Sequence, residues 1–151
     1  MGLREQLSSD IAYAMRTRDQ ARLDPLRMLR AAIQNFEVAR TDAKHAQHGQ
    51  PITEEDLLGV VQKEIKQRQD SVEQFRKGNR EDLASKEEAE IGVLQGYLPA
   101  QMSRGEIAEH VAAIVSEIGK EFKAVMPRAA RELKGRADGR LVNDVVRELT
   151  S

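Results

Sequence analysis

Cysteine and tryptophan are absent from this chain, and its aromatic residues amount to three Phe and two Tyr in 151 residues. Without cysteine there can be no disulfide, no thiolate metal ligand and no thiol nucleophile. The lack suits a reducing compartment. No stretch approaches the roughly 18 apolar residues that a membrane span needs. The opening MGLREQLSSD is polar and carries no secretory pattern. The expectation from these absences is a soluble, cytoplasmic protein with no membrane partner. A net charge of −1 also excludes bulk electrostatic attraction to nucleic acid, so any such role must be local.

What the chain has in abundance is Ala, Leu, Glu, Arg, Lys and Gln, the strong helix formers. Apolar residues recur at helical spacing in seven stretches. Leu3, Leu7, Ile11 and Met15 mark the first. After a cap at Asp19, the second carries Leu23, Leu26, Leu29, Ile33 and Phe36, with Pro25 early, where a missing N–H costs least. Residues 41–52 lose the period and read as a mobile loop. Thr53 caps a third helix whose opening turn is acidic, Glu54-Glu55-Asp56. Its stripe runs Leu58, Val61, Ile65, Val72 and Phe75, interrupted by Arg68, and Gly78 fits the stop. A fourth helix spans about Glu81 to Tyr97 through Leu83, Ile91 and Leu94. Pro99 to Met102 is the best boundary between units. Ser103 with Glu106 forms a capping box for a fifth helix with Ile107, Val111, Ile114, Val115 and Ile118, closed by Gly119. The sixth, about Lys120 to Lys134, turns Phe122, Val125, Met126, Ala129 and Leu133 inward and is kinked or delayed by Pro127. Asp138 caps a seventh with Leu141, Val142, Val145 and Leu149. The fold class expected is all-α, a four-helix domain over 1–98 followed by a three-helix domain over 99–151.

Candidate sites divide into structural and binding readings. His45 and His48, with Asp42, could supply a metal only if a third ligand converged; solvated loop histidines are the favoured reading, and no metal or cofactor is expected. In KEIKQRQDSVEQFRKGNR (63–80) cations alternate with acids at i,i+4, Glu64 with Arg68 and Glu73 with Lys77, the pattern of a solvated face rather than a nucleic-acid stripe. Yet Arg68 also lies on the apolar stripe. If the third and fourth helices form a hairpin about Asn79, Arg68 and Glu90 are each eleven residues from the turn, with Glu87 one helical turn nearer. A semi-buried ion pair between Arg68 and Glu90 or Glu87 is therefore expected, in preference to a paired-carboxylate catalytic site. Lys134-Gly135-Arg136-Ala137-Asp138-Gly139-Arg140 brings three cations to a helix start, a position suited to phosphate, although Asp138 as the cap would occupy its donors. Residues 120–151, which include Lys123 and Arg131, hold eight Lys/Arg against five Asp/Glu. No nucleophile, base and orienting residue assemble, and no strand-based nucleotide fold is available, so no catalytic residue is assigned.

Three long segments carry a wider resemblance: LRMLRAAIQNFEVAR (26–40), QKEIKQRQDSVEQFRKGNREDLASKEEAEIGVLQGYLP (62–99) and LKGRADGRLVNDVVREL (133–149). Over nearly its whole length the chain resembles the YqeY family, relatives of the C-terminal tail domain of GatB, the B subunit of the aspartyl/glutamyl-tRNA amidotransferase. The resemblance implies a helical domain joined to a smaller three-helix domain. It also implies an association with tRNA, which the corresponding tail helps to hold, while ammonia transfer and ATP-dependent activation belong to other domains and subunits. A label of carbon–nitrogen ligase activity with glutamine as amide donor would thus reach this chain by association, without a site for the chemistry. Pro127 and Arg131 depart from the family pattern, standing where a small residue and a proline are expected.

The leading reading is a tRNA-associated binding module without its own catalytic centre, using Lys134, Arg136, Arg140, Lys123 and Arg131. The competing reading is a protein–protein adaptor with no RNA role, favoured by the near-neutral charge and few aromatics.

Overall fold

The computed structural model describes residues 2–151. These form seven α-helices and no strand: α1 (Leu3–Arg16), α2 (Gln20–Arg40), α3 (Glu54–Lys77), α4 (Glu81–Gln95), α5 (Arg104–Ile118), α6 (Phe122–Glu132) and α7 (Gly139–Thr150). The chain divides into two compact units, one ending at Leu98 and the other spanning Pro99–Ser151. Each has its own apolar core.

In the first unit α1 buries Leu3, Leu7, Ile11 and Ala14, while Met15 is 54% exposed. The four-residue stripe drifts because each step of four overshoots a full turn by about 40°. By the third step Ala14 is closer to the core. The α1 helix ends in a Schellman motif. Arg18 takes the left-handed position at φ +57°, Asp19 N–H donates to Ala14 O at 2.9 Å and Arg18 N–H to Met15 O at 3.3 Å. Asp19 at once caps α2, accepting from Arg22 N–H at 3.2 Å. Pro25 lies deeper than its early place suggested. It is the sixth residue of α2, so its ring removes a bond that would otherwise reach the Ala21 carbonyl. The ring is fully buried.

The α3 start is held by a reciprocal box in which Asp56 N–H donates to Thr53 Oγ1 and Thr53 N–H to Asp56 Oδ2. Its buried face is Leu57, Val60, Val61, Ile65, Arg68 and Val72, with Leu58 only partly covered. The turn into α4 is a second Schellman motif, and its left-handed residue is Asn79 at φ +59° rather than Gly78, which sits at φ −90°. Asparagine tolerates that region through its short polar side chain. The hairpin of α3 and α4 is the most extensive helix pair of the unit. Below it, the Tyr97 hydroxyl donates to Asp10. Burial, then the Asp10 carboxylate, raises the phenol above its ordinary value.

In the second unit α5 buries Ile107, Val111 and Ile114 and ends at Gly119, whose φ of +93° calls for glycine. The α6 helix continues on both sides of Pro127, burying Val125 and Ala129. The α7 face is Val142, Val145 and Val146, with Leu141 and Leu149 at its margin.

Both capping boxes make stability depend on acid. The N–H of Thr53 holds the Asp56 carboxyl below its ordinary 3.8, and the N–H of Ser103 holds Glu106 below 4.5. A carboxyl lowered by folding stabilises above its unfolded value, and that contribution is lost as pH falls through the lower folded value. Thermal melts followed by circular dichroism should therefore be flat near neutrality and fall below about pH 4.5. Glu106→Gln should weaken that acid dependence. An unchanged profile in Glu106→Gln would show that the box contributes nothing to it.

Candidate functional site

The connection from α6 to α7 is built by alternation. Leu133, Gly135 and Ala137 point into the core of the second unit, whereas Lys134, Arg136 and Asp138 are exposed. Gly135 allows this at φ +81°. The segment is then anchored from the chain entering α5. Met102 N–H donates to Arg136 O at 2.8 Å, and Gln101 Nε2 donates to Gly135 O at 3.2 Å. Asp138 accepts from Arg140 N–H at 3.2 Å. The cations of this turn are thus presented by a backbone fixed on both sides.

Lys123 and Arg131 are also exposed, on α6. Seen down the helix axis, Lys123 and Arg131 lie about 80° apart at 100° per residue, and Lys134 follows in the turn beyond the helix. Several neighbouring side chains of the unit are already engaged. Arg128 pairs with Glu117 at 2.6 Å and with Glu132 at 3.2 Å, and His110 Nε2 lies 2.7 Å from Glu132. Hydrogen bonds from His110, then Arg128, keep the Glu132 carboxyl below its ordinary value. Arg104 pairs with Glu148, and the Arg147 guanidinium lies 4.8 Å from the Phe122 ring centre. Arg136 acts on Glu106, adding to the larger effect of Ser103 in holding that carboxyl below its ordinary value. Among the described residues Lys123, Arg131 and Lys134 are therefore left without an ion pair, on α6 and the turn that follows.

In the first unit Arg68 is 6% exposed. Its Nη1 donates to Glu90 Oε2 at 2.5 Å and Glu87 Oε2 at 3.3 Å, and its Nη2 to Met28 Sδ at 3.3 Å. The Glu73–Lys77 pair forms at 3.7 Å, but Arg68 turns inward to Glu90 and Glu87 and does not pair with Glu64. Glu88 reaches Arg76 on the surface.

One polar cluster escaped the sequence reading. Arg40, the last residue of α2, is 6% exposed. Its Nη1 donates to the carbonyls of Gln50 and Pro51, both at 3.3 Å, and its Nη2 to Gln47 Oε1 at 3.2 Å and Asp56 at 3.5 Å. The guanidinium lies 5.0 Å from the Phe36 ring centre. The segment 41–52, expected to be a mobile loop, is wrapped around this side chain through successive tight turns. A cleft of about 550 Å³ opens beside it, lined in part by Arg4, Glu37, Thr41 and His48. Arg4 is paired with Glu37 and Arg40 with Asp56, so the cleft offers little free charge. His45 Nδ1 accepts from Gln47 N–H at 3.0 Å and Asp42 accepts from Lys44 N–H at 2.9 Å. Among the described residues no three His, Asp or Glu side chains gather as a metal site, and no helix is long and apolar enough to cross a membrane.

Comparison with known proteins adds kinship. The chain is 36% identical over 152 residues to the Altered inheritance of mitochondria protein 41, mitochondrial, of Pyrenophora tritici-repentis, covering 95% of this chain and 78% of that protein. Proteins of the same name from Vanderwaltozyma polyspora and Lachancea thermotolerans are 33% and 36% identical, each over 80% of this chain. The chain spans only 62% and 60% of those two relatives. The expectation of a cytoplasmic protein is corrected by these names, which place close relatives in mitochondria. Its grounds, no cysteine and no apolar span, are compositional and cannot tell one aqueous compartment from another. The family profile described as Yqey-like protein matches residues 4–150, nearly the entire chain and all seven helices: the chain belongs to the YqeY family.

Proposed function

We propose that the chain is a tRNA-associated binding module, with residues 1–98 as an N-terminal helical domain and 99–151 as a domain like the GatB tail. The observation that carries this reading is the exposed positive edge of the second unit. Lys123, Arg131, Lys134 and Arg136 are exposed on α6 and its following turn, and the turn backbone is pinned by Met102 and Gln101. Fixed cations on a rigid segment meet phosphates at a lower entropic cost than cations on a loose tail. Arg140 is included as the third cation of the turn. The carbon–nitrogen ligase label of the wider family enters only by association, because amide transfer needs activating and ammonia-supplying parts that this module is not proposed to contain.

The test is tRNA binding across a salt series for the intact protein and for K134E/R136E/R140E, with circular dichroism first establishing that the variant is folded. Three phosphate contacts correspond to a slope of about −2 to −3 in log K against log salt. The variant should therefore bind more weakly at low salt and lose about that much slope. If folded variant and wild type bind alike, the tail cations are structural, and a protein–protein adaptor becomes the better reading.

A further inference from the structure

We propose that the α1–α2 corner of the first unit is a separate phosphodiester-binding surface, an RNA contact made by Arg16, Arg18, Arg22, Arg27 and Arg30. It does not depend on the tail. The first 43 residues contain seven arginines and no lysine. Arg4 is paired with Glu37, and Arg40 is buried with Asp56. The other five are all exposed, and none is held in an ion pair among the described residues. The two acids between them are engaged locally. Asp19 caps α2 through Arg22 N–H, and Asp24 accepts from Gln20 Nε2 at 2.6 Å.

Several of these placements oppose the stability of the fold. Arg16 alone has a structural reason, since a cation in the last turn of α1 suits the helix dipole. Arg22 stands in the first turn of α2, where the same dipole disfavours a cation. Arg27 and Arg30 are like charges at i,i+3. Arg18 fills the left-handed position of a Schellman motif at φ +57°, where glycine or asparagine would sit with less strain. Strain at the α1–α2 corner and repulsion along the next two to three turns of α2 point together to an extended ligand that uses the charge.

The residue type selects the ligand. A guanidinium presents a planar fork of donors that matches phosphate oxygens two at a time. Tyr13 lies exposed at the same corner with Arg16 5.8 Å from its ring centre, which adds a surface on which a base can stack. An anionic membrane fits less well. A helix lying on lipid needs a free apolar face, and α2 has committed Leu26, Leu29 and Ile33 to the core.

The experiment uses the full chain with unfractionated tRNA, single-stranded oligouridylate, and phosphatidylcholine vesicles containing phosphatidylserine as probes. The variant R22Q/R27Q/R30Q removes charge with a good helix former and should leave circular dichroism unchanged. It should weaken tRNA binding at about 50 mM salt by tenfold or more and flatten the salt slope by about 2–3. Arg18→Gly should flatten the slope by about 1 while keeping or raising the melting temperature, since glycine suits that φ. K134E/R136E/R140E, run in parallel, separates the two surfaces. Loss of binding in the α2 variant supports this surface whether or not the tail variant also loses it. The inference is overturned if both corner variants bind as wild type does, if only the tail variant loses binding, or if the vesicles are bound while neither RNA is.

Discussion

Arg68→Ala is expected to lower the stability of the first unit by about 3 kcal/mol or more, within the 3–5 kcal/mol range for breaking a buried pair from one side. The lower end applies because Glu87 is 22% exposed and Met28 is open to solvent, so water reaches part of the site. The loss comes mainly from Glu90, 7% exposed, which would be left buried without its partner. For a unit of this size the melting temperature should fall by at least about 10 °C. The paired variant Arg68→Met with Glu90→Leu should recover most of it. Arg68 Nε has no hydrogen-bond partner among the described residues, so the native arrangement is incompletely satisfied and an apolar replacement has less to match. Urea denaturation of both variants decides the matter. A loss below about 1 kcal/mol for Arg68→Ala would mean the pair behaves as a surface pair does.

That site shows what a sequence can disclose about a helical hairpin. A charged residue on an apolar stripe has to be answered, and counting from the turn finds the answering residue on the opposite helix. The same logic applied to α2 would have flagged Arg40, since Ile33, Phe36 and Arg40 follow the three-and-four spacing of that stripe. Its partners were not legible, because they are carbonyls of Gln50 and Pro51 in a segment without periodicity. Turn chemistry was legible to within one residue. Gly78-Asn79 was correctly a stop, but the left-handed position falls to Asn79, one residue beyond the glycine. The stripes held through the middle of each helix and slipped at the ends, at Met15 where strict fours were extended, at Leu58 where Leu57 is the buried residue, and at Ile118, which is exposed in the last turn of α5. A charge sum is limited for another reason. Fifteen Lys/Arg against seventeen Asp/Glu over residues 1–99 describes a neutral sum, and a sum conceals five arginines within residues 16–30 whose local acids are occupied.

Arg40→Leu is expected to cost about 2–3 kcal/mol and to release the segment it holds. The leucine preserves an apolar stem over Phe36 but leaves the part-buried Gln50 and Pro51 carbonyls and the Asp56 carboxylate without their donor, and a polar group left unpaired away from water costs roughly 1–3 kcal/mol. Two considerations moderate the figure. The bonds are 3.2–3.5 Å long, at or beyond the usual limit for N–H···O, and the carbonyls can turn toward water once freed. Asp56 also keeps its box with Thr53, whose N–H is the main cause of its lowered carboxyl pKa, so α3 should stay capped. The damage should therefore be local. Hydrogen exchange should accelerate at residues 41–52 with the middle of α3 still protected, whereas Arg68→Ala should raise exchange along both α3 and α4. Arg40→Lys should behave more like leucine than like arginine, because a single ammonium cannot span two carbonyls, Gln47 and Asp56 at once. If exchange in 41–52 were unchanged in Arg40→Leu, the segment would be held by its own turns, and Arg40 would be a passenger in the cluster rather than its clamp.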